Sequence, residues 1–275
     1  MGQVERTKRW EMNGDWFPTI ISKKPQDIGI GFEWEVECDF YRDDLTPGEE
    51  DFEYGSECRL DRYSQEFAER YGFKVHGECR ATEFCSPIAY NLQTIKAVAN
   101  KLKKRVTKDR LLEPHDPECA GIHVHTSVKG GVSKELYSKI LLMLNRGTSR
   151  DFIWSISGRE GGRDYSEQAE VCGWDERWDE TNMSGYNWQN AVDDSGGNCM
   201  LKWNMPHLER TIEYRIWNGT PDRLLVALEF AHACTKFAVQ HKGENVPYLK
   251  DMKEWLFKQP GYKLLKTQHE WVSVR

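Results

Sequence analysis

Ile28-Gly-Ile-Gly-Phe-Glu-Trp-Glu-Val-Glu-Cys38 is the stretch on which the fold turns. Its alternation is that of a β-strand, whose side chains leave on opposite faces with a period of two. Ile28, Ile30, Phe32, Trp34 and Val36 share one face, while Gly29, Gly31, Glu33, Glu35 and Glu37 share the other. An ordinary solvated face would intersperse Thr, Lys or Ser among its acids. Here three carboxylates stand in line, about 7 Å apart, and repel one another. Taken alone, the segment fits either a solvated face or a face that gathers cations.

Three further segments behave in the same way. In Val75-His-Gly-Glu-Cys-Arg-Ala-Thr-Glu-Phe-Cys-Ser-Pro87, Glu78 and Glu83 have opposite parity and need a bulge or turn between them to share a face. Ser86 and Pro87 are expected to end that strand. In Gly121-Ile-His-Val-His-Thr-Ser-Val128, His123, His125 and Ser127 project one way and Ile122, Val124, Thr126 and Val128 the other. Two imidazoles at i and i+2 are costly to bury unpaired. They read either as metal ligands converging on one face or as core histidines with hydrogen-bond partners. In Glu209-Arg-Thr-Ile-Glu-Tyr-Arg-Ile-Trp-Asn-Gly-Thr220, Glu213 and Arg215 share a face opposite Ile212, Tyr214 and Ile216. That pair is either a cross-strand ion pair of small value or a metal ligand beside a phosphate clamp.

Paired into one sheet, the four segments would line a concave surface with carboxylates, imidazoles and a guanidinium. Carboxylates cluster this way around divalent cations. An oxygen-rich set with an imidazole suits Mg²⁺ or Mn²⁺ better than Zn²⁺.

The helices read from period and caps. Asn91 to Arg110 carries Leu92, Ile95, Ala99, Leu102 and Val106 at helical spacing, with Lys101, Lys103, Lys104 and Lys108 on its other face. That basic run is a solvated face or a patch for an acidic partner. Ser133 to Arg146 has Ser133 as N-cap. Thr220-Pro221-Asp222 looks like a helix start with a capping hydroxyl, leading to Gln240. His232 inside that helix reads as a satisfied core histidine. Residues 155–200, rich in Gly, Asp and Trp, read as long loops forming a lid.

Composition bounds the rest. The chain has 275 residues, 39% of them hydrophobic, so it can bury a core and is not disordered throughout. The longest apolar run, Leu224 to Cys234, contains Glu229 and His232, which argues against a membrane span. A net charge of −6 disfavours a duplex nucleic-acid binder, although cations bound to the acidic face would weaken that exclusion. No secretory pattern opens the chain, and its eight cysteines contain no C-x-x-C. The expectation is a cytoplasmic protein with reduced thiols.

The order of motifs resembles the amidoligase family, carboxylate–amine ligases grouped with glutamine synthetases and glutamate–cysteine ligases. The blocks that carry the resemblance are Gly-Phe-Glu-Trp-Glu (31–35), Glu-Phe-Cys-Ser-Pro (83–87), Gly-Ile-His-Val-His (121–125) and Thr-Ile-Glu-Tyr-Arg through Gly-Thr (211–220). The resemblance implies one α+β domain over 1–275 with its core at 28–240. It implies a curved antiparallel sheet forming a funnel, flanked by helices, as in the glutamine synthetase catalytic domain. It implies ATP and two or more Mg²⁺, with Mn²⁺ as a substitute. By position, Glu33, Glu35, Glu83, His123 or His125, and Glu213 look like metal ligands. Arg215 looks like the residue that meets the transferred phosphate. Lys202, Asn204, Arg150 and Arg159 are further nucleotide-binding candidates. Gly77-Glu78-Cys79 stands where the family commonly has Asp-Gly-Ser, which leaves Glu78 as the candidate base. The implied reaction activates a carboxylate as an acyl phosphate, which an amine then attacks. Its partners would be a small-molecule or peptide amine and carboxylate, with a nucleic-acid-linked substrate still open.

Two rival readings use the same residues. A zinc hydrolase would be built on His123 and His125. A non-catalytic binding module would use some of the eleven tryptophans, Trp174, Trp178 and Trp188 above all.

Overall fold

The computed structural model describes residues 11–12, 15–16, 28–37, 68–78, 81–108, 121–145, 148–158, 201–204, 211–242 and 247–268. It is an α+β arrangement. Strands β1 (Glu11–Met12) and β2 (Asp15–Trp16) form a small hairpin. The main sheet contains β3 (Ile28–Glu37), β4 (Lys74–Glu78), β5 (Ala81–Cys85), β6 (Gly121–Val128), β7 (Leu201–Asn204) and β8 (Thr211–Asn218). Its order is β4-β5-β3-β6-β8-β7, and every pairing is antiparallel. The segment 75–87 therefore contains two strands, paired so that Glu78 and Glu83 share a face.

Strands β3 and β6 follow the alternation of their sequences, and β8 follows it as far as Tyr214. Ile30, Phe32, Trp34, Val36, Ile122, Val124, Ile212 and Tyr214 are all buried in one apolar core. The helices α1 (Leu92–Lys108), α2 (Lys134–Asn145), α3 (Thr148–Ser157) and α4 (Leu224–Gln240) supply the other side of that core. Helix α4 lies at its centre, touching β3, β6, α1 and α2. A helix surrounded in this way must be apolar nearly all round, and 13 of its 17 residues are buried. Helices α5 (Leu249–Lys258) and α6 (Lys263–Lys266) pack on its far side.

Several polar groups inside this layer have hydrogen-bond partners, as burial favours. The Trp34 indole N–H donates to the Gly219 carbonyl at 2.8 Å. Thr235 joins α4 to the sheet through Thr126 Oγ1 at 2.7 Å and the Tyr214 hydroxyl at 2.9 Å. His232 is a satisfied core histidine, with Nδ1 2.9 Å from the Tyr262 hydroxyl.

Two caps follow ordinary chemistry. Asn91 Oδ1 accepts the N–H groups of Gln93 and Thr94, and Ser133 Oγ accepts that of Leu136. Thr220 does not cap α4: the helix begins at Leu224 after a turn, and its N-cap Arg223 has no side-chain cap bond. Asn218 Oδ1 accepts the Thr220 N–H instead, at 3.3 Å. Residues 155–157 are the end of α3 rather than the start of a loop, and 159–200 lie outside the described residues. Strand β5 ends at Cys85, before Ser86 and Pro87 as expected. The chain runs on beside β3, and Ile30 and Ala89 exchange backbone hydrogen bonds of 2.9 and 2.8 Å. Among the described residues no helix is long and apolar enough to cross a membrane.

Candidate metal centre

Antiparallel register lines up three rows of opposed residues across the sheet. The first is Lys74–Cys85–Glu33–His123. The second is His76–Glu83–Glu35. The third is Gly31–His125–Glu213–Lys202. Directly opposed residues share a face and sit about 5 Å apart. Glu33, Glu83, His123, His125 and Glu213 are therefore gathered by pairing alone, on the face opposite the helices.

A bulge completes the set. Ile122 pairs with Trp217 and Val124 with Tyr214, so Arg215 and Ile216 stand together against His123. The extra residue reverses the parity of β8. It leaves Arg215 beside Glu213, with Nε 3.4 Å from Oε1, and turns Trp217 into the core against Phe230.

Two groups of three ligand atoms result, each within 4.8 Å: Glu33, Glu83 and His123, and Glu33, His125 and Glu213. Glu33 belongs to both. His125 Nε2 lies 3.2 Å from Glu33 Oε1, and His123 Nδ1 lies 3.6 Å from Glu33 Oε2 and 3.7 Å from Glu213 Oε1. Burial alone would push the Glu33 carboxyl up, but the neighbouring imidazoles of His125 and His123 hold it well below the usual carboxylate range. Burial alone would pull the His125 imidazole down, yet Glu33, Glu213 and Glu83 raise it.

The donor set suits a hard divalent cation. Each group offers two carboxylates and one imidazole, the mixture expected for Mg²⁺ or Mn²⁺. His125 Nε2 is buried, and among the described residues its near neighbour is Glu33 Oε1, within ion-pair distance. A coordinated cation would engage a buried nitrogen of this kind when the imidazole is neutral.

The expected ligands thus separate. Glu33, Glu83, His123, His125 and Glu213 come together, and both imidazoles are used. They fall into different groups, so among the described residues no three-ligand group contains the i, i+2 histidine pair. Glu35 belongs to neither group; its Oε2 accepts the Gly121 N–H at 2.7 Å. Lys202 is directly opposite Glu213 in the ladder and Asn204 opposite Thr211. Glu78 ends β4 and Arg150 lies in α3. The side chains of these four, and the whole of Arg159, lie outside the described residues, as do Trp174, Trp178 and Trp188.

Two residues of the site escaped the sequence reading. Cys85 is a buried thiol between Lys74 and Glu33 in the first row. Burial pushes its pKa far up, and the charges of Glu83 and Glu33 add to the effect. Its parity with Glu83, two residues earlier, was the available signal. Gly121 is the other; its role depends on Glu35, 86 residues away in the chain, and no local pattern shows it. The chain matches no protein-family model and no curated protein.

Proposed function

We propose that the chain is an ATP- and Mg²⁺-dependent carboxylate–amine ligase, the activity that the amidoligase resemblance implies. The observation that carries the proposal is the pair of ligand groups sharing Glu33, with Arg215 at their edge. A single-cation hydrolase has no need of two such groups, whereas a triphosphate must be neutralised at several oxygens before a carboxylate can approach it. The reading of the antiparallel sheet as a glutamine synthetase-like funnel belongs to the same proposal.

Glu33, Glu83 and His123 would hold one cation, and Glu33, His125 and Glu213 a second. When bound, the cations would supply charge neutralisation at the phosphate oxygens. Arg215, half-buried beside Glu213, would donate to the phosphoryl group as it passes from ATP to the substrate carboxylate. Glu213 aligns that guanidinium. Lys202 and Asn204, with Arg150 and Arg159, are the proposed further contacts to the nucleotide. Glu78, at the end of β4, is the proposed acceptor of the proton lost by the attacking amine. The net result joins amine and carboxylate as an amide and releases ADP and phosphate.

The test is ADP release from purified protein with Mg²⁺, ATP and pooled amines and acids. Release that requires both an amine and an acid is expected. Glu33→Gln and Arg215→Ala should abolish it while the protein stays folded. Full activity in both variants would overturn the site, and tightly held stoichiometric zinc would favour a hydrolase.

A further inference from the structure

We infer that Glu35 is a positioning residue, which sets the ring of His123 through Gly121 and does not itself ligate a cation. This rests on the metal reading of the same site, but departs from the ligand role that the Glu-x-Glu spacing suggests.

Glu35 is directly opposite Glu83 in the β3–β5 ladder. Like charges at opposed positions destabilise a sheet, so each needs its own compensation. Glu83 has its share in the group with Glu33 and His123, whereas Glu35 belongs to no three-ligand group among the described residues. Glu35 Oε2 receives the Gly121 N–H at 2.7 Å, a charge-assisted bond of the stronger kind. The β3–β6 ladder extends to the Trp34–Ile122 pair. Immediately beyond it, the Glu35 side chain clasps the first residue of β6.

Gly121 is also where the His123 ring lies. A Cβ on Gly121 would stand 2.9 Å from His123 Nε2 and 3.3 Å from Glu35 Oε2. The bare backbone lets the imidazole lie back over the start of its own strand. With Nε2 on that side, Nδ1 faces Glu33 and Glu213 at 3.6 and 3.7 Å. Glu35 fixes the backbone against which the ring rests, and the ring orientation decides which nitrogen reaches the ligand group. Groups that orient a ligand in this way are typically worth about 10- to 100-fold in metal affinity.

The test compares Mn²⁺ affinity, by titration calorimetry or Mn²⁺ paramagnetic resonance, in wild type, Glu33→Gln, Glu35→Gln, Glu35→Ala and Gly121→Ala. Glu35→Gln and Glu35→Ala lose the same charge, but only the amide keeps an acceptor for the Gly121 N–H. Glu35→Gln is therefore expected to bind about tenfold more tightly than Glu35→Ala. Gly121→Ala, which removes no charge, is expected to weaken binding at least about tenfold. The Glu35→Ala/Gly121→Ala double variant should lose little more than the worse single, because both act through one unit. Equal affinities in Glu35→Gln and Glu35→Ala, or additive losses in the double variant, overturn the inference while Glu33→Gln still shows the site to be real. A wild type that binds no Mn²⁺ overturns the metal reading and this inference together.

Discussion

His232 should make the fold acid-sensitive in a defined window. The ring is 2% exposed, and its Nδ1 is 2.9 Å from the Tyr262 hydroxyl. Burial raises the Tyr262 pKa, with Glu229 and Cys234 adding to the shift, so the hydroxyl stays protonated and can give or take the bond according to the imidazole tautomer. Protonation would place an unpaired imidazolium charge in an apolar layer. Burial first, and Lys236 second, pull the His232 pKa from 6.5 down to about 4. Between those values the unfolded chain binds a proton that the folded chain does not. Stability is therefore fully present above pH 6.5 and falls as the pH drops towards 4. The loss is about 2 kcal/mol at pH 5 and about 3 kcal/mol once pH 4 is passed. The assay is urea unfolding at half-unit steps from pH 8 to 4.5, on wild type and on His232→Gln, whose amide keeps an acceptor for Tyr262. Glu33 and His125 also titrate, but they are common to both proteins, so the difference isolates His232. The two curves should converge by about 2 kcal/mol between pH 8 and pH 5. Parallel curves over that interval would refute the reasoning.

The helical layer and the strap beside β3 offer two further checks. Glu229 is 1% exposed, pairs with Lys96 and accepts the Leu265 N–H at 2.8 Å. Glu229→Ala strands both partners and should cost about 3–5 kcal/mol in urea unfolding. Glu229→Gln keeps one acceptor and should cost clearly less; a loss under about 1 kcal/mol for alanine would contradict the buried pair. A Cβ on Gly29 would stand 2.5 Å from Ser127 Oγ, 3.2 Å from Tyr90 and 3.3 Å from Ile88. Gly29→Ala should therefore cost about 1–3 kcal/mol, and adding Ser127→Ala should recover part of it. A neutral Gly29→Ala would mean that the strap does not lie there.

The alternation of residues 28–36 was enough to place Trp34 in the core and Glu33 and Glu35 on the other face, because strand period is a local property. The same holds for His123 and His125. What the sequence leaves open is register, since pairing joins residues far apart in the chain. The i, i+2 histidines suggest one shared ion, but β3 and β8 flank β6 and each brings carboxylates to the site. Each imidazole therefore has its own group. The bulge at Arg215 and Ile216 was equally hidden, because simple alternation would put Trp217 on the Glu213 face. Thr220-Pro221 resembles a helix cap but forms the turn before α4, where the Asn218 side chain takes the Thr220 N–H. Local chemistry there selects a turn, and burial of Leu224 selects where the helix begins.

The two faces of the sheet are energetically opposed, and this bears on why the site can exist. Glu35 against Glu83 places like charges at opposed positions, an arrangement that costs stability in the absence of a cation. His125, with its raised pKa, offsets part of that cost, and Arg215 beside Glu213 offsets more. The remainder must come from the opposite face, where Trp34, Phe32, Tyr214 and Trp217 are each no more than 2% exposed. Burying such side chains is worth about 1.5–3 kcal/mol apiece for those of phenylalanine size. The strands that carry the acids are thus the strands that carry the largest apolar groups, residue by alternate residue. A substitution that relieves the acidic crowding, such as Glu83→Gln opposite Glu35, should therefore leave the cation-free fold at least as stable as wild type while weakening cation binding. A site residue kept at a cost to the fold is the expected mark of function.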